Sequence, residues 1–194
     1  MTTGELKQTI ISYSRDCYGN GLVSAAGGNV SMRLGDRFFI TATNAALRHL
    51  TPEDIVEVDI DGNVVGENYG RLPSKEVFMH LEVYKNREDI DSVIHIHPVF
   101  SISCSVVNGN SFPLPTVSSR LKLRKMGFVE YADAGSEKLK EGVRKASADR
   151  DVNVIILEGH GIVVYDKGME KCYNTAELVE ETAKINCITS MMRK

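Results

Sequence analysis

Asp91-Ser92-Val93-Ile94-His95-Ile96-His97-Pro98 is the stretch from which the rest of the chain can be laid out. Ile94, His95, Ile96 and His97 alternate apolar side chain with imidazole, the period of a strand in which residues two apart share a face. Ile94 and Ile96 go to one side, and the two imidazoles stand side by side on the other. Pro98 has no N–H for the ladder, so the strand is predicted to end there, with the pair at its exit near solvent. Two neutral imidazoles at such spacing make half of a metal site. A lone histidine in a strand is usually a satisfied polar group; what shifts the balance is a third one. Glu158-Gly159-His160-Gly161 follows the apolar run Val154-Ile155-Ile156-Leu157, a predicted buried strand. The flanking glycines let the backbone turn sharply and bring the ring close to a neighbour. Three of the five histidines fall at strand ends, which points to a three-histidine site.

A chain of 194 residues suffices for one domain with a substantial core and is short for two, so a single domain over 1–194 is expected. With 42% apolar and 25% charged residues, it has the composition of a soluble globular protein. A net charge of -3 argues against nucleic-acid binding, which calls for a basic face. No apolar run approaches the ~20 residues of a membrane span, and Met1-Thr2-Thr3-Gly4-Glu5 lacks the marks of a signal peptide. Cys17, Cys104, Cys172 and Cys187 are far apart in sequence with no Cys-x-x-Cys pair. They read as reduced thiols of a cytoplasmic protein.

Leu6, Ile10, Tyr13 and Cys17 recur at helical spacing, and Gly19-Asn20-Gly21 stops that helix. Met32 to Thr41 reads as a hairpin turning at Gly35-Asp36. Thr41 to Leu50 is a predicted loop, and Thr51-Pro52-Glu53-Asp54 a short helical turn. Val56, Val58 and Ile60, then Asp61-Gly62 and Val64-Val65, predict a second hairpin. Ser74 is the predicted N-cap of a helix with Val77, Leu81 and Tyr84 on its core side. Val99 to Val107 predicts a short buried helix, and Leu114 to Val117 an extended segment. Leu121 to Ala134 has no clear pattern beyond a short strand at Phe128-Val129. Ser136 to Ala148 is helical, and Val152 to Leu157 pairs with Ile162 to Tyr165. Met169 to Met192 is one long helix with Cys172, Ala176, Val179 and Ala183 on a buried stripe. Helices flanking runs of hairpins give the α/β class with a largely antiparallel sheet.

Two weaker signals join the histidines. Glu76 falls in the predicted first helical turn, where the helix dipole favours an ionised carboxylate, although acids there also serve helix stability alone. His80 lies one turn on and shares its face. Ala26-Gly27-Gly28-Asn29 lets backbone N–H groups approach an anion, yet a turn into a strand also needs glycine.

Taken in order, Gly28-Asn29-Val30-Ser31-Met32-Arg33, Ile40-Thr41-Ala42-Thr43, Pro73-Ser74-Lys75-Glu76, His95-Ile96-His97-Pro98 and Gly159-His160-Gly161 resemble the class II aldolase/adducin family. The resemblance spans nearly the whole chain. It implies a three-layer αβα sandwich around a largely antiparallel central sheet, assembled as a homotetramer with active sites between subunits. It makes His95, His97 and His160 the ligands of one divalent metal ion, usually Zn2+, with Mn2+, Fe2+ and Co2+ also suited to imidazoles. Glu76 matches the acid/base, and Asn29, Thr43, Asn44, Ser74 and Lys75 fall where the family holds the substrate phosphate.

The implied activity is reversible retro-aldol cleavage of a small phosphorylated sugar, a ketose 1-phosphate such as L-fuculose 1-phosphate, to dihydroxyacetone phosphate and an aldehyde. The ion polarises the carbonyl as a Lewis acid, and Glu76 moves the proton at carbon. Three departures bear on the substrate. Thr41-Ala42-Thr43-Asn44 carries Asn44 where the family's phosphate loop has glycine. Lys75 replaces a serine and grips phosphate or carboxylate as a point charge. Pro115 to Arg120 holds no tyrosine where the aldolases bring one from a neighbouring subunit; Tyr131 is the substitute on offer. The Ser-Lys-Glu form also resembles relatives that decarboxylate 3-oxo-tetronate 4-phosphates. A pentulose-phosphate 4-epimerase, which carries aspartate at the position of Glu76, and a non-catalytic adducin-like module are the remaining readings.

Overall fold

The histidine strand is the middle strand of a seven-stranded sheet. In the computed structural model, which describes residues 1–123 and 125–193, the strands are β1 (Asn29–Leu34), β2 (Arg37–Thr41), β3 (Ile55–Val58), β4 (Ser92–Ile96), β5 (Gly127–Val129), β6 (Val154–Leu157) and β7 (Gly161–Asp166). They lie in the order β3-β2-β1-β4-β7-β6-β5. Every pairing is antiparallel except β5 with β6. The helices are α1 (Thr3–Gly19), α2 (Val77–Asn86), α3 (Val99–Asn108), α4 (Val117–Lys122), α5 (Glu137–Ser147) and α6 (Met169–Met192).

Period-two alternation divides the core between the two faces of the sheet. Val30, Met32, Ile94, Ile96 and Val164 pack with α1 and α6. Val93, Ile155, Val163 and Tyr165 pack with α2 and α5. The result is the three-layer αβα arrangement. Cys172, Ala176, Val179 and Ala183 form the fully buried stripe of α6, where small side chains let the long helix lie close to the sheet. Thr2 and Glu5 form a reciprocal capping box at the start of α1, satisfying donors that a helix end leaves unpaired.

Several local expectations are corrected. Helix α2 begins at Val77, not after a Ser74 cap. The Ser74 hydroxyl instead accepts from Glu76 N at 3.2 Å, and Val77 N donates to Ser74 O at 3.0 Å, closing a turn just before the helix. The second hairpin is present but short: an antiparallel bridge between Val58 and Val64 is flanked by Val65 N donating to Glu57 O and Asp59 N to Asn63 O, each at 2.9 Å. A 3-10 turn, Leu47–His49, interrupts the predicted loop at Thr41 to Leu50. Val117 opens α4 rather than closing an extended segment, since Thr116 Oγ1 caps Ser119 N. Helix α3 leaves Val99, Val106 and Val107 on the surface, so its apolar sequence did not mean full burial. Arg124, inside the patternless stretch 121–134, lies outside the described residues.

Candidate active site

His95 comes from β4, His97 from just beyond it, His160 from the turn joining β6 to β7, and Glu76 from the N-cap position of α2. Their ligating atoms all lie within 4.8 Å of one another. Contrary to the expected exposed exit, His95 has no solvent exposure at all. Its register partners are Asn29 on β1 and Val163 on β7.

Two glycines make the convergence sterically possible. A Cβ on Gly161 would collide with the Ile96 carbonyl oxygen and stand 3.0 Å from His97 Cδ2; one on Gly27 would stand 2.9 Å from His97 Nδ1. The glycines beside the histidine and in the β1 entry loop therefore clear room for a ring.

The donor set suits a cation. His95 Nδ1–H donates to the Ile162 carbonyl at 2.9 Å, so in the neutral ring the Nε2 lone pair faces the cluster, as second-sphere bonds commonly arrange. That Nε2 stands 2.9 Å from His97 Nε2 and 3.3 Å from Glu76 Oε2. His160 Nε2 lies 3.4 Å from Glu76 Oε1, which is buried and has no hydrogen-bond partner among the described residues. A divalent ion among these atoms would satisfy lone pairs that the described residues leave facing one another.

Electrostatics agree. Burial first, and the neighbouring His95 and His160 next, lower His97 to about 3. His160 is lowered by burial and then by His95. Both are therefore neutral, ligand-competent imidazoles at pH 7. Burial acts to raise the Glu76 carboxyl, but His95 and His160 when they carry protons, together with a hydrogen bond from Asn29, outweigh it and hold the group well below the ordinary carboxylate range.

The expected phosphate residues are only partly brought together. The Ala42–Pro73 bridge, with Thr43 N donating to Leu72 O and Ser74 N to Thr41 O, sets Thr43 and Asn44 against the Ser74 turn. Asn44 adopts φ 59, the left-handed region that asparagine tolerates, which explains how it stands in for glycine. Lys75 is exposed and lines a cavity of about 220 Å³ with Glu76, Phe78, Met79, Ser136 and Lys140. Asn29 is different. It is buried, and its amide is engaged on both sides, Nδ2 donating to Glu76 Oε2 at 2.9 Å and Oδ1 facing His80 Nε2 at 2.5 Å. Tyr131 is exposed beside the mouth, and a Cβ on Gly159 would stand 3.8 Å from its Cδ2.

The family profile described as Class II Aldolase and Adducin N-terminal domain matches residues 8–187. The chain belongs to the class II aldolase/adducin family. It is 37% identical to a protein of Methanocaldococcus jannaschii named L-fuculose phosphate aldolase, over 97% of this chain and 99% of that one. It is 28% identical to a Haemophilus influenzae protein named 3-oxo-tetronate 4-phosphate decarboxylase, over 95% of this chain and 88% of that one. A solved structure titled L-fuculose 1-phosphate aldolase superposes with a TM-score of 0.87 at 31% identity, covering 100% of this chain and 90% of that one. In this class II aldolase/adducin member, the three histidines were legible from local sequence, whereas Glu76 was singled out only through the family resemblance. Ser31, His80 and Tyr84, which bond to one another behind Asn29, were not singled out as a group. Their signal was the pairing of two periods, Asn29 with Ser31 along a strand and His80 with Tyr84 along a helix.

Proposed function

We propose that this chain is a metal-dependent carbon–carbon lyase, a class II sugar-phosphate aldolase that cleaves a ketose 1-phosphate such as L-fuculose 1-phosphate to dihydroxyacetone phosphate and an aldehyde. The observation that carries the reading is an ionised, buried carboxylate, Glu76, set 3.3 Å and 3.4 Å from two members of a histidine triad. His95, His97 and His160 would hold the ion, with zinc the favoured occupant of an all-imidazole set. When bound, the ion supplies Lewis acidity toward the substrate oxygens. In condensation the ionised Glu76 takes a proton from carbon of the three-carbon fragment; in cleavage the C4 hydroxyl gives up its proton as the C3–C4 bond breaks, and Glu76, once it has taken up a proton, delivers one to that carbon. Thr43, Asn44, Ser74 and Lys75 would grip the phosphate at the rim, with Asn29 supporting the carboxylate.

A homotetramer with sites between subunits fits the exposed Val99, Val106 and Val107 of α3 and Ile188, Met191 and Met192 of α6, apolar surface of the kind that partner subunits cover. Four free cysteines fit the reducing cytoplasm. The second reading, decarboxylation of a 3-oxo-tetronate 4-phosphate, is favoured by Lys75, a cation at the cavity wall suited to a carboxylate. An epimerase reading is weakened by glutamate at position 76, and a non-catalytic module by the intact donor cluster.

Zinc-loaded protein offered a panel of ketose phosphates and phosphorylated oxo-acids should release dihydroxyacetone phosphate. Carbon dioxide instead would select the decarboxylase. Less than one tightly held divalent ion per subunit would select the non-catalytic module. Glu76→Gln should keep its ion while kcat falls about 10²-fold or more, the usual contribution of a positioned acid/base.

A further inference from the structure

A run of buried hydrogen bonds leads from α2 to the Glu76 carboxylate, and its polarity is fixed link by link. The ionised carboxylate only accepts, so the Asn29 amide must turn Nδ2 toward Oε2, 2.9 Å away. Asn29 Oδ1 then faces His80 Nε2 at 2.5 Å, and that nitrogen must carry the hydrogen. A neutral ring protonated on Nε2 has a bare Nδ1, which accepts from Ser31 Oγ at 2.7 Å. Ser31 Oγ in turn accepts from the Tyr84 hydroxyl at 2.9 Å. His80 is 0%, Ser31 1%, Tyr84 2% and Asn29 4% exposed, so no solvent competes for these bonds.

We propose that His80 is a positioning residue of the active site: its Nε2–H locks the Asn29 amide with the donor end toward Glu76, capping Oε2 and leaving Oε1 as the uncapped oxygen beside His160. The proposal rests on the reading of Glu76 as the acid/base. An amide flipped end for end would set Oδ1 against a carboxylate oxygen and Nδ2 against an N–H. Both bonds would become repulsions inside a sealed site. With His80 in place only one amide orientation satisfies every group, and the carboxylate is held in one attitude. His80 does this without touching the reacting atoms. Ser31 donates to the bare Nδ1 from behind, in keeping with that tautomer, and the four-residue spacing of His80 and Tyr84 brings both onto the helix face over β1.

The test compares wild type, His80→Gln and His80→Leu, all zinc-loaded, together with the ¹⁵N NMR tautomer of His80 in the wild type at neutral pH. Glutamine carries an amide N–H near the Nε2 position and should keep kcat within about threefold, whereas leucine should lose about 10- to 100-fold, the range of second-sphere substitutions. KM and zinc content should stay within about twofold in both variants, because the substrate and ion contacts are untouched. The NMR should show hydrogen on Nε2 alone. Equal losses in the two variants, full turnover in His80→Leu, losses residing in zinc content, or hydrogen on Nδ1 would each overturn the proposal. Should the leucine variant not fold, the tautomer and the glutamine variant decide. A wild type that turns over none of the offered substrates would sink the aldolase reading but not the positioning one, which is then judged on the tautomer alone.

Discussion

At the scale of single residues, the centre depends on atoms that are absent as much as on those present. Gly161 has no side chain because the Ile96 carbonyl and the His97 ring occupy the space one would need. Gly161→Ala should push β7 off β4 where the ligands meet. Zinc affinity should fall about 10- to 100-fold, as for other changes that displace ligand supports, measured by competition with a chromophoric chelator. Unchanged affinity would mean that the strands absorb the methyl group elsewhere. The candidate ligands were legible in the sequence because their signals are local: His95 and His97 alternate with isoleucines, and His160 stands between glycines. The support behind Glu76 was not. Serine at 31 and tyrosine at 84 are ordinary core-facing residues until the fold lays α2 over β1.

At the scale of elements, α3 ties the site to the long helix. It starts just after His97, and the Glu180 carboxylate of α6 caps its first turn, accepting from Phe100 N at 3.0 Å and from Ser101 N at 2.8 Å. Farther along, the Ser105 hydroxyl accepts from Gly159 N, next to His160. Glu180→Ala should cost about 1–2 kcal/mol of stability, as cap removal does, read from the urea midpoint of the zinc-free protein. It should also weaken zinc binding, since α3 begins just after one candidate ligand, His97, and braces the turn that carries another, His160. A loss of stability without any change in zinc affinity would separate the helix from the site. The sequence showed α3 as an apolar run but not its outward valines. Burial depends on what packs opposite, which no local pattern records. The parallel pairing of β5 was hidden for a related reason, because three residues carry too little periodicity to declare a partner.

At the scale of the whole molecule, the fold shelters imidazoles that refuse protons. Burial, with His95 next, lowers His80 to about 3, and His97 is held at about 3 as well, against about 6.5 in an unfolded chain. The unfolded state therefore binds protons that the folded state does not, so stability is complete above about pH 6.5 and declines as pH falls toward 3. Glu76, lowered from its ordinary range, adds to the decline at the acid end. Zinc-free protein should lose on the order of a few kcal/mol between pH 7 and pH 4, seen as a falling urea midpoint. A flat profile would show that the rings charge within the fold. The αβα architecture was foreseeable from helices alternating with hairpins, together with the family resemblance.

The place of β4 has one more consequence. It is hydrogen-bonded on both flanks, to β1 and to β7, with three strands on either side. Central strands are the last part of a domain to open, so His95 rides on the segment that yields only with global unfolding. A chelator should thus empty the protein without melting it, and an added ion should find its socket still formed. Such a chain would be open to stripping and reloading with different metals in turn, each compared on one unchanged scaffold.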